Sequence, residues 1–180
     1  EAGVDRAVAA AREAFDKGPW PRLPAQDRKR ILQPIIDGIY AAEEELAQLQ
    51  TLDNGIPYHF SRRSRVSGTA AADIFDHYAG WCDKITGETY PRFSSDSNLH
   101  YLSFREPVGV AAAILAFNAP LAMFAIKVGA ALASGCTVVV KPSEYANLAV
   151  ERLARILASS DLPPGVFNFI TGGTRTGSAL

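Results

Sequence analysis

At 180 residues, with 48% hydrophobic residues, 21% charged residues and a formal net charge of −1, the chain can form one domain with a sizeable core and is too apolar to remain disordered. So small a net charge leaves no electrostatic footprint for nucleic acid or an acidic membrane surface. Two cysteines (Cys82, Cys136) without a CxxC pair and three scattered histidines (His59, His77, His100) exclude a disulfide framework, argue against any metal site and suit a reducing, cytoplasmic setting.

The first predicted element is a helix over Val4 to Phe15, apolar at Val4, Ala7, Val8, Ala11 and Phe15 and stopped by Gly18-Pro19. The chain opens inside this amphipathic helix without an initiator Met or a signal peptide, so its natural N-terminus is expected upstream. A second helical stretch runs from Gln26 to Leu52, with Ile31, Leu32, Ile35, Ile36, Ile39, Leu46 and Leu49 on its buried face. Pro34 should kink it or split off a first turn. Asp53-Asn54-Gly55 reads as a helix stop. Ser61 to Lys84 reads as a third helix, with Ala71, Ile74, Phe75, Tyr78 and Trp81 inward, and Arg62-Arg63-Ser64-Arg65 as a solvated face.

The period then changes. Glu88 to Phe93 and Asn98 to Phe104, joined by Ser94-Ser95-Asp96-Ser97, read as a β-hairpin. A lone hairpin is marginal in water, so this one should pair with later residues or another subunit. From Val108 the pattern is β-α-β-α-β: strand Val108 to Leu115, helix Pro120 to Ser134, strand Thr137 to Lys141, helix Ser143 to Ser160 and strand Val166 to Thr171, with a further helix from near Thr174. The strands are nearly all apolar, as in a parallel sheet covered on both faces. The longest apolar run, Val108 to Leu132, is broken by Asn118, Pro120, Lys127 and glycines and is not a membrane span. The fold class is therefore α/β: an open, mostly parallel, Rossmann-like sheet with helices on both faces, preceded by N-terminal helices and a hairpin. The parts are 1–84 (helical), 85–106 (a bridging or oligomerisation hairpin) and 107–180 (the first part of a dinucleotide-binding domain).

In such a sheet, ligands bind past the carboxyl ends of the strands, where polar residues cluster here. Asn118 follows the first strand and precedes Pro120. It can be a helix cap or Asx turn, or an oxyanion donor at a helix N-terminus. Lys141 ends the second strand and Pro142-Ser143-Glu144 follows. These can be a solvated lysine, a Ser143 cap and a Glu144 near a positive helix end, or a ribose clamp whose carboxylate repels a 2′-phosphate. Thr171-Gly172-Gly173-Thr174-Arg175-Thr176-Gly177 can be an ordinary glycine turn or an approach to a pyrophosphate. Cys136 lies at the wrong end of its strand for chemistry, and neither cysteine has a local base.

Phe117-Asn118-Ala119-Pro120, Lys141-Pro142-Ser143-Glu144 and Pro164-Gly165-Val166-Phe167-Asn168, together with Arg28 to Gly55 and Gly87 to Gly109, resemble the first part of the cofactor domain of the aldehyde dehydrogenase superfamily. The resemblance implies an enzyme that oxidises an aldehyde through a cysteine thioester, with NAD favoured over NADP. It implies Asn118 as the oxyanion donor, and Ile114, Leu115, Ala116 and Phe117 as residues lining the cofactor. It implies Lys141, Ser143 and Glu144 at the adenosine ribose, and Gly172, Gly173 and Gly177 near the pyrophosphate. Ala119, Ala122, Met123 and Ile126 would face the aldehyde channel, with Lys127 pointing elsewhere. The full-length form would be a homodimer or homotetramer. The chain departs from many members at Phe117 (often Trp), Ala119 (often bulky) and Thr174 (often Gly). The family's nucleophile and general base are expected outside these 180 residues, leaving this chain inactive alone. A CoA-acylating or phosphate-dependent semialdehyde dehydrogenase, or a non-catalytic nucleotide-binding relative, shares the same motifs.

Overall fold

The computed structural model describes residues 1–91 and 98–180. Helix α1 (Ala2–Asp16) buries Val4, Ala11 and Ala14. The predicted helix over 26–52 is two helices, α2 (Ala25–Ala41) and α3 (Glu43–Asn54). Pro34 does not split α2; it lies inside the unbroken helix on an exposed face, where a carbonyl without its helical partner can bond water. The break falls at Ala42 (φ −91°, ψ 7°), whose N–H donates to the carbonyls of Gly38, Ile39 and Tyr40. Glu43, Glu44 and Glu45 then occupy the positive first turn of α3. Gly55 closes α3 in the left-handed conformation (φ 75°).

The predicted third helix also divides, into α4 (Tyr58–Arg63) and α5 (Gly68–Ala79). The Ser67 hydroxyl caps α5 by accepting from Ala70 N at 3.1 Å. Ala71 and Phe75 face the core, and Ile74 and Tyr78 pack at its margin. Trp81 does not point inward: it lies beyond the end of α5, is 47% exposed and tilts against His77. Arg62 is also less free than expected, pairing with Glu44 at 2.9 Å.

The hairpin pairs β1 (Thr89–Tyr90) with β2 (Tyr101–Leu102), antiparallel, Thr89 opposite Leu102. Among the described residues its ladder is shorter than predicted, and all four of its residues are exposed. The expected connection Ser94 to Ser97, with Phe93, lies outside the described residues.

The second sheet is parallel, in the order β3 (Val110–Ile114), β4 (Thr137–Lys141), β5 (Phe167–Phe169). The connection from β3 to β4 is α6 (Pro120–Phe124), a π turn (Ala125–Gly129) and α7 (Ala130–Ala133). Helix α8 (Leu148–Ala158) links β4 to β5, and α9 (Thr174–Ala179) follows. Every residue of β4 is buried, as its uninterrupted apolar run requires. On one face, α1 packs over it, and Thr137 Oγ1 donates to the Ala11 carbonyl at 3.0 Å. On the other, Val138 and Val140 join a cluster with Trp20, Leu32, Phe75, Leu121, Phe124 and Leu153, so the N-terminal helices and the sheet share one core. The expectation of two covered faces fails for β3, where Ala112 and Ile114 are exposed.

Candidate active-site edge

Strands β3 and β4 are in register, Ile114 opposite Lys141, so both side chains reach the same face at the carboxyl edge of the sheet. Leu115 is buried, and its N–H continues the ladder to the Lys141 carbonyl at 3.0 Å. Ala116, Phe117 and Asn118 then emerge into the open. Asn118 is not the cap of α6. Ala119 (φ −149°, ψ 60°) holds that position, no side chain caps the helix, and Pro120 supplies the first helical residue. The Asn118 amide is thus exposed beside the helix N-terminus rather than folded back onto it.

Lys141 is 4% exposed. A buried ammonium is costly unless it is bonded and balanced. Its Nζ donates to the Pro142 carbonyl at 2.9 Å, and Glu144 Oε2 lies 3.8 Å away as the balancing charge. Ser143 does not begin a helix. Its hydroxyl accepts from Tyr145 N at 3.2 Å, and the chain turns through Ala146 before α8 starts at Leu148. Glu144 therefore projects from a turn, half in solvent, rather than from a helix end.

The glycine segment folds over this pair. A Cβ built on Gly173 would sit 3.5 Å from Glu144 Oε1, and one on Gly177 would sit 3.6 Å from Lys141 Cε. Gly172 (φ +148°) has room for no side chain, since a Cβ would meet Thr176 Oγ1 at 2.0 Å. The bare backbone lets this segment close over the pair, with the carboxylate left half-exposed and the ammonium buried. The structure brings Ile114, Lys141, Glu144 and Gly172 to Gly177 together at one edge.

Along α6, Ala119 and Met123 are half-buried, Ile126 is exposed and Ala122 is buried. Ile126 and Lys127 are both exposed, and both lie in the π turn. Cys136 is buried next to the amino end of β4, opposite this edge. Cys82 is buried too, and burial pushes its thiol pKa up against the opposing pull of Arg28. Among the described residues, no three His, Cys, Asp or Glu side chains converge on a metal position, and no helix is long and apolar enough to cross a membrane.

The sequence reading missed three participants. Asn54 Nδ2 donates to the Phe117 carbonyl at 2.9 Å, and Asp53 Oδ2 accepts from Leu148 N at 2.7 Å. The Tyr145 ring meets Phe117 edge-on, with centroids 6.4 Å apart.

The aldehyde dehydrogenase family model matches residues 1–180. The chain belongs to the aldehyde dehydrogenase family. It is 44% identical, over 98% of its length, to aldehyde dehydrogenase family 2 member B4, mitochondrial, from Arabidopsis thaliana, and covers 32% of that protein. It is 41% identical to benzaldehyde dehydrogenase, mitochondrial, from Antirrhinum majus, again over 98% of this chain and 32% of the relative. The NAD+ complex structure of aldehyde dehydrogenase from Bacillus cereus superposes with a TM-score of 0.91 at 40% identity, covering 98% of this chain and 35% of that one. The chain thus spans about a third of the length of the aldehyde dehydrogenases it matches.

Proposed function

We propose that this chain is the N-terminal part of an enzyme that oxidises an aldehyde to a carboxylic acid with NAD. The observation that carries the reading is the edge shared by two loops, one ending in the exposed, uncapped Asn118 and the other in the buried Lys141 with its Glu144 partner. Family membership over all 180 residues supports it, as does the relatedness to a benzaldehyde dehydrogenase and to an enzyme solved with NAD+.

The residues present fit the cofactor. Lys141 and Glu144 would hold the adenosine ribose, Lys141 donating to a hydroxyl and Glu144 accepting from one. The Ser143 turn presents the carboxylate, and Gly172, Gly173 and Gly177 let a pyrophosphate approach. Ile114, Leu115, Ala116 and Phe117 would line the path between. NAD, when bound, accepts the hydride. A thiolate adding to the aldehyde carbon creates an alkoxide, and Asn118 Nδ2 would donate to it. That thiolate comes from residues outside this chain, since Cys82 is buried with a raised pKa and Cys136 lies at the opposite edge. Full-length enzyme carrying Cys82→Ser and Cys136→Ser should therefore keep its kcat, and the 180-residue chain alone should form no NADH. Loss of activity in the double variant, with folding intact by circular dichroism, would put the nucleophile back in this chain.

Ala119, Met123 and Ile126 form the open side of α6, with Ala122 beneath them, and are assigned to the aldehyde channel. Small and adaptable side chains there favour bulky apolar or aromatic aldehydes over acetaldehyde. Ala119→Phe should raise KM for benzaldehyde far more than for acetaldehyde. Ala122→Phe is a poorer probe, because it would overpack a buried position. Equal KM changes for both aldehydes would remove this face from the channel.

Segments 1–84, 85–106 and 107–180 are assigned as helical support, bridging hairpin and cofactor-binding part. Leu102 and Phe104 are exposed on and just after the hairpin, which suits cover by another subunit in a homodimer or homotetramer. Two unpaired buried thiols suit a reducing, cytoplasmic setting.

A further inference from the structure

The two loops at the active-site edge are tied to one place in the fold. Asp53 and Asn54 are consecutive residues at the end of α3, and each reaches a different loop. Asn54 donates to the carbonyl of Phe117, 63 residues away and adjacent to Asn118. Asp53 accepts from the N–H of Leu148, 95 residues away, where the chain leaves the Lys141–Glu144 turn for α8. Asn147, at the N-cap of α8, makes no capping bond, so Asp53 supplies the cap from another element. An aspartate in the last turn of α3 faces the negative end of that helix and gains nothing locally. Its placement is explained by α8. The Asn54 amide is used on both sides: Nδ2 holds Phe117, and Oδ1 accepts from Ile56 N at 3.3 Å. Arg152 of α8 pairs with Glu45 of α3 at 2.6 Å, which fixes the two helices against each other. The Phe117–Tyr145 ring contact closes the arrangement across the gap between the loops.

We infer that Asp53 and Asn54 are positioning residues, Asn54 setting the carbonyl that aims Asn118 at the substrate oxygen and Asp53 anchoring the turn that presents Lys141 and Glu144 to the cofactor. The inference rests on the roles given above to Asn118 and Glu144. Fixing the Phe117 carbonyl fixes the peptide plane shared with Asn118, and so the direction in which the Asn118 side chain leaves the backbone. Capping α8 fixes where the Ser143 to Ala146 turn begins its exit. The two residues therefore act on two different kinetic quantities.

The test uses the full-length enzyme, with single-turnover NADH formation and direct NAD binding measured separately. Asn54→Asp keeps the oxygen that holds Ile56 N and removes the donor to Phe117. It should slow single-turnover NADH formation roughly 10-fold, as expected for a modest displacement of a reacting group, with NAD affinity unchanged. Asp53→Ala should weaken NAD binding several-fold and leave the saturated single-turnover rate unchanged. Asp53→Asn, which keeps an acceptor for Leu148 N, should restore binding. In an Asn118→Ala background, Asn54→Asp should cause little further loss, because its effect passes through Asn118. Both quantities falling together in each variant, or an additive effect of Asn54→Asp on Asn118→Ala, would reduce the pair to a general structural role and overturn the inference. If Asn118→Ala itself leaves the single-turnover rate unchanged, the oxyanion assignment fails, whatever the Asn54 variant does. If Asn118→Ala slows turnover and Asn54→Asp does not, only the positioning inference fails.

Discussion

Asn118→Ala in the full-length enzyme is expected to lower kcat roughly 100- to 1000-fold, the scale of one lost oxyanion donor, with NAD affinity nearly unchanged. The expectation comes from the side chain's surroundings. Had Asn118 capped α6, its removal would cost about 1 kcal/mol of stability and leave the chemical step alone. Ala119 holds the cap position instead, and no side chain bonds the helix end. Removing the amide therefore takes away a donor that α6 does not use. A fall in melting temperature without a fall in single-turnover rate would return Asn118 to a structural role. Asn118→Asp is the sharper variant: it keeps the shape but puts a carboxylate where the alkoxide forms, and should be at least as slow as Asn118→Ala.

What the sequence made legible tracks how local each signal is. Strand Thr137–Lys141 ends where its apolar run ends, because every residue in it is buried by its own kind. The carboxyl edge that carries the candidate site was legible for the same reason, since polar residues directly follow apolar strands. The helix divisions were not. The Ser67 start of α5 sits where α5 crosses α3 closely: a Cβ on Gly68 would lie 3.2 Å from the Glu43 Cα and from Leu46 Cδ1. That crossing is tertiary and leaves no period in the sequence. Helix α8 starts at Leu148 rather than at Ser143, although Ser143 looks like a cap. The true cap is Asp53, 95 residues earlier in the chain. The π turn at Ala125–Gly129 is hidden in a continuous apolar pattern. Asp53-Asn54-Gly55 reads only as a helix stop, although an aspartate at the unfavourable end of a helix dipole is a signal for a partner elsewhere.

Cofactor choice should follow Glu144. Its carboxylate projects half-exposed from the Ser143 turn, 3.8 Å from the Lys141 ammonium and under the Gly173 backbone. A ribose hydroxyl donating to a carboxylate gains a charge-assisted bond, whereas a 2′-phosphate meets like charge at the same point. Glu144→Gln keeps the length and an acceptor oxygen but removes the charge. The NAD bond weakens to a neutral one and the repulsion of NADP disappears, so both effects move the preference the same way. The ratio of kcat/KM for NAD over NADP should fall about 10- to 100-fold, consistent with charged hydrogen bonds of roughly 1.5–3 kcal/mol. Lys141 loses its balancing charge in this variant but keeps its bond to the Pro142 carbonyl, so kcat at saturating NAD should change less than the NAD/NADP ratio. Raising ionic strength should shrink the wild-type discrimination only partly, because the carboxylate is covered on one side by the glycine turn. A ratio that stays put in Glu144→Gln would mean that the ribose lies elsewhere on this edge, and Lys141 would then need another explanation for its burial.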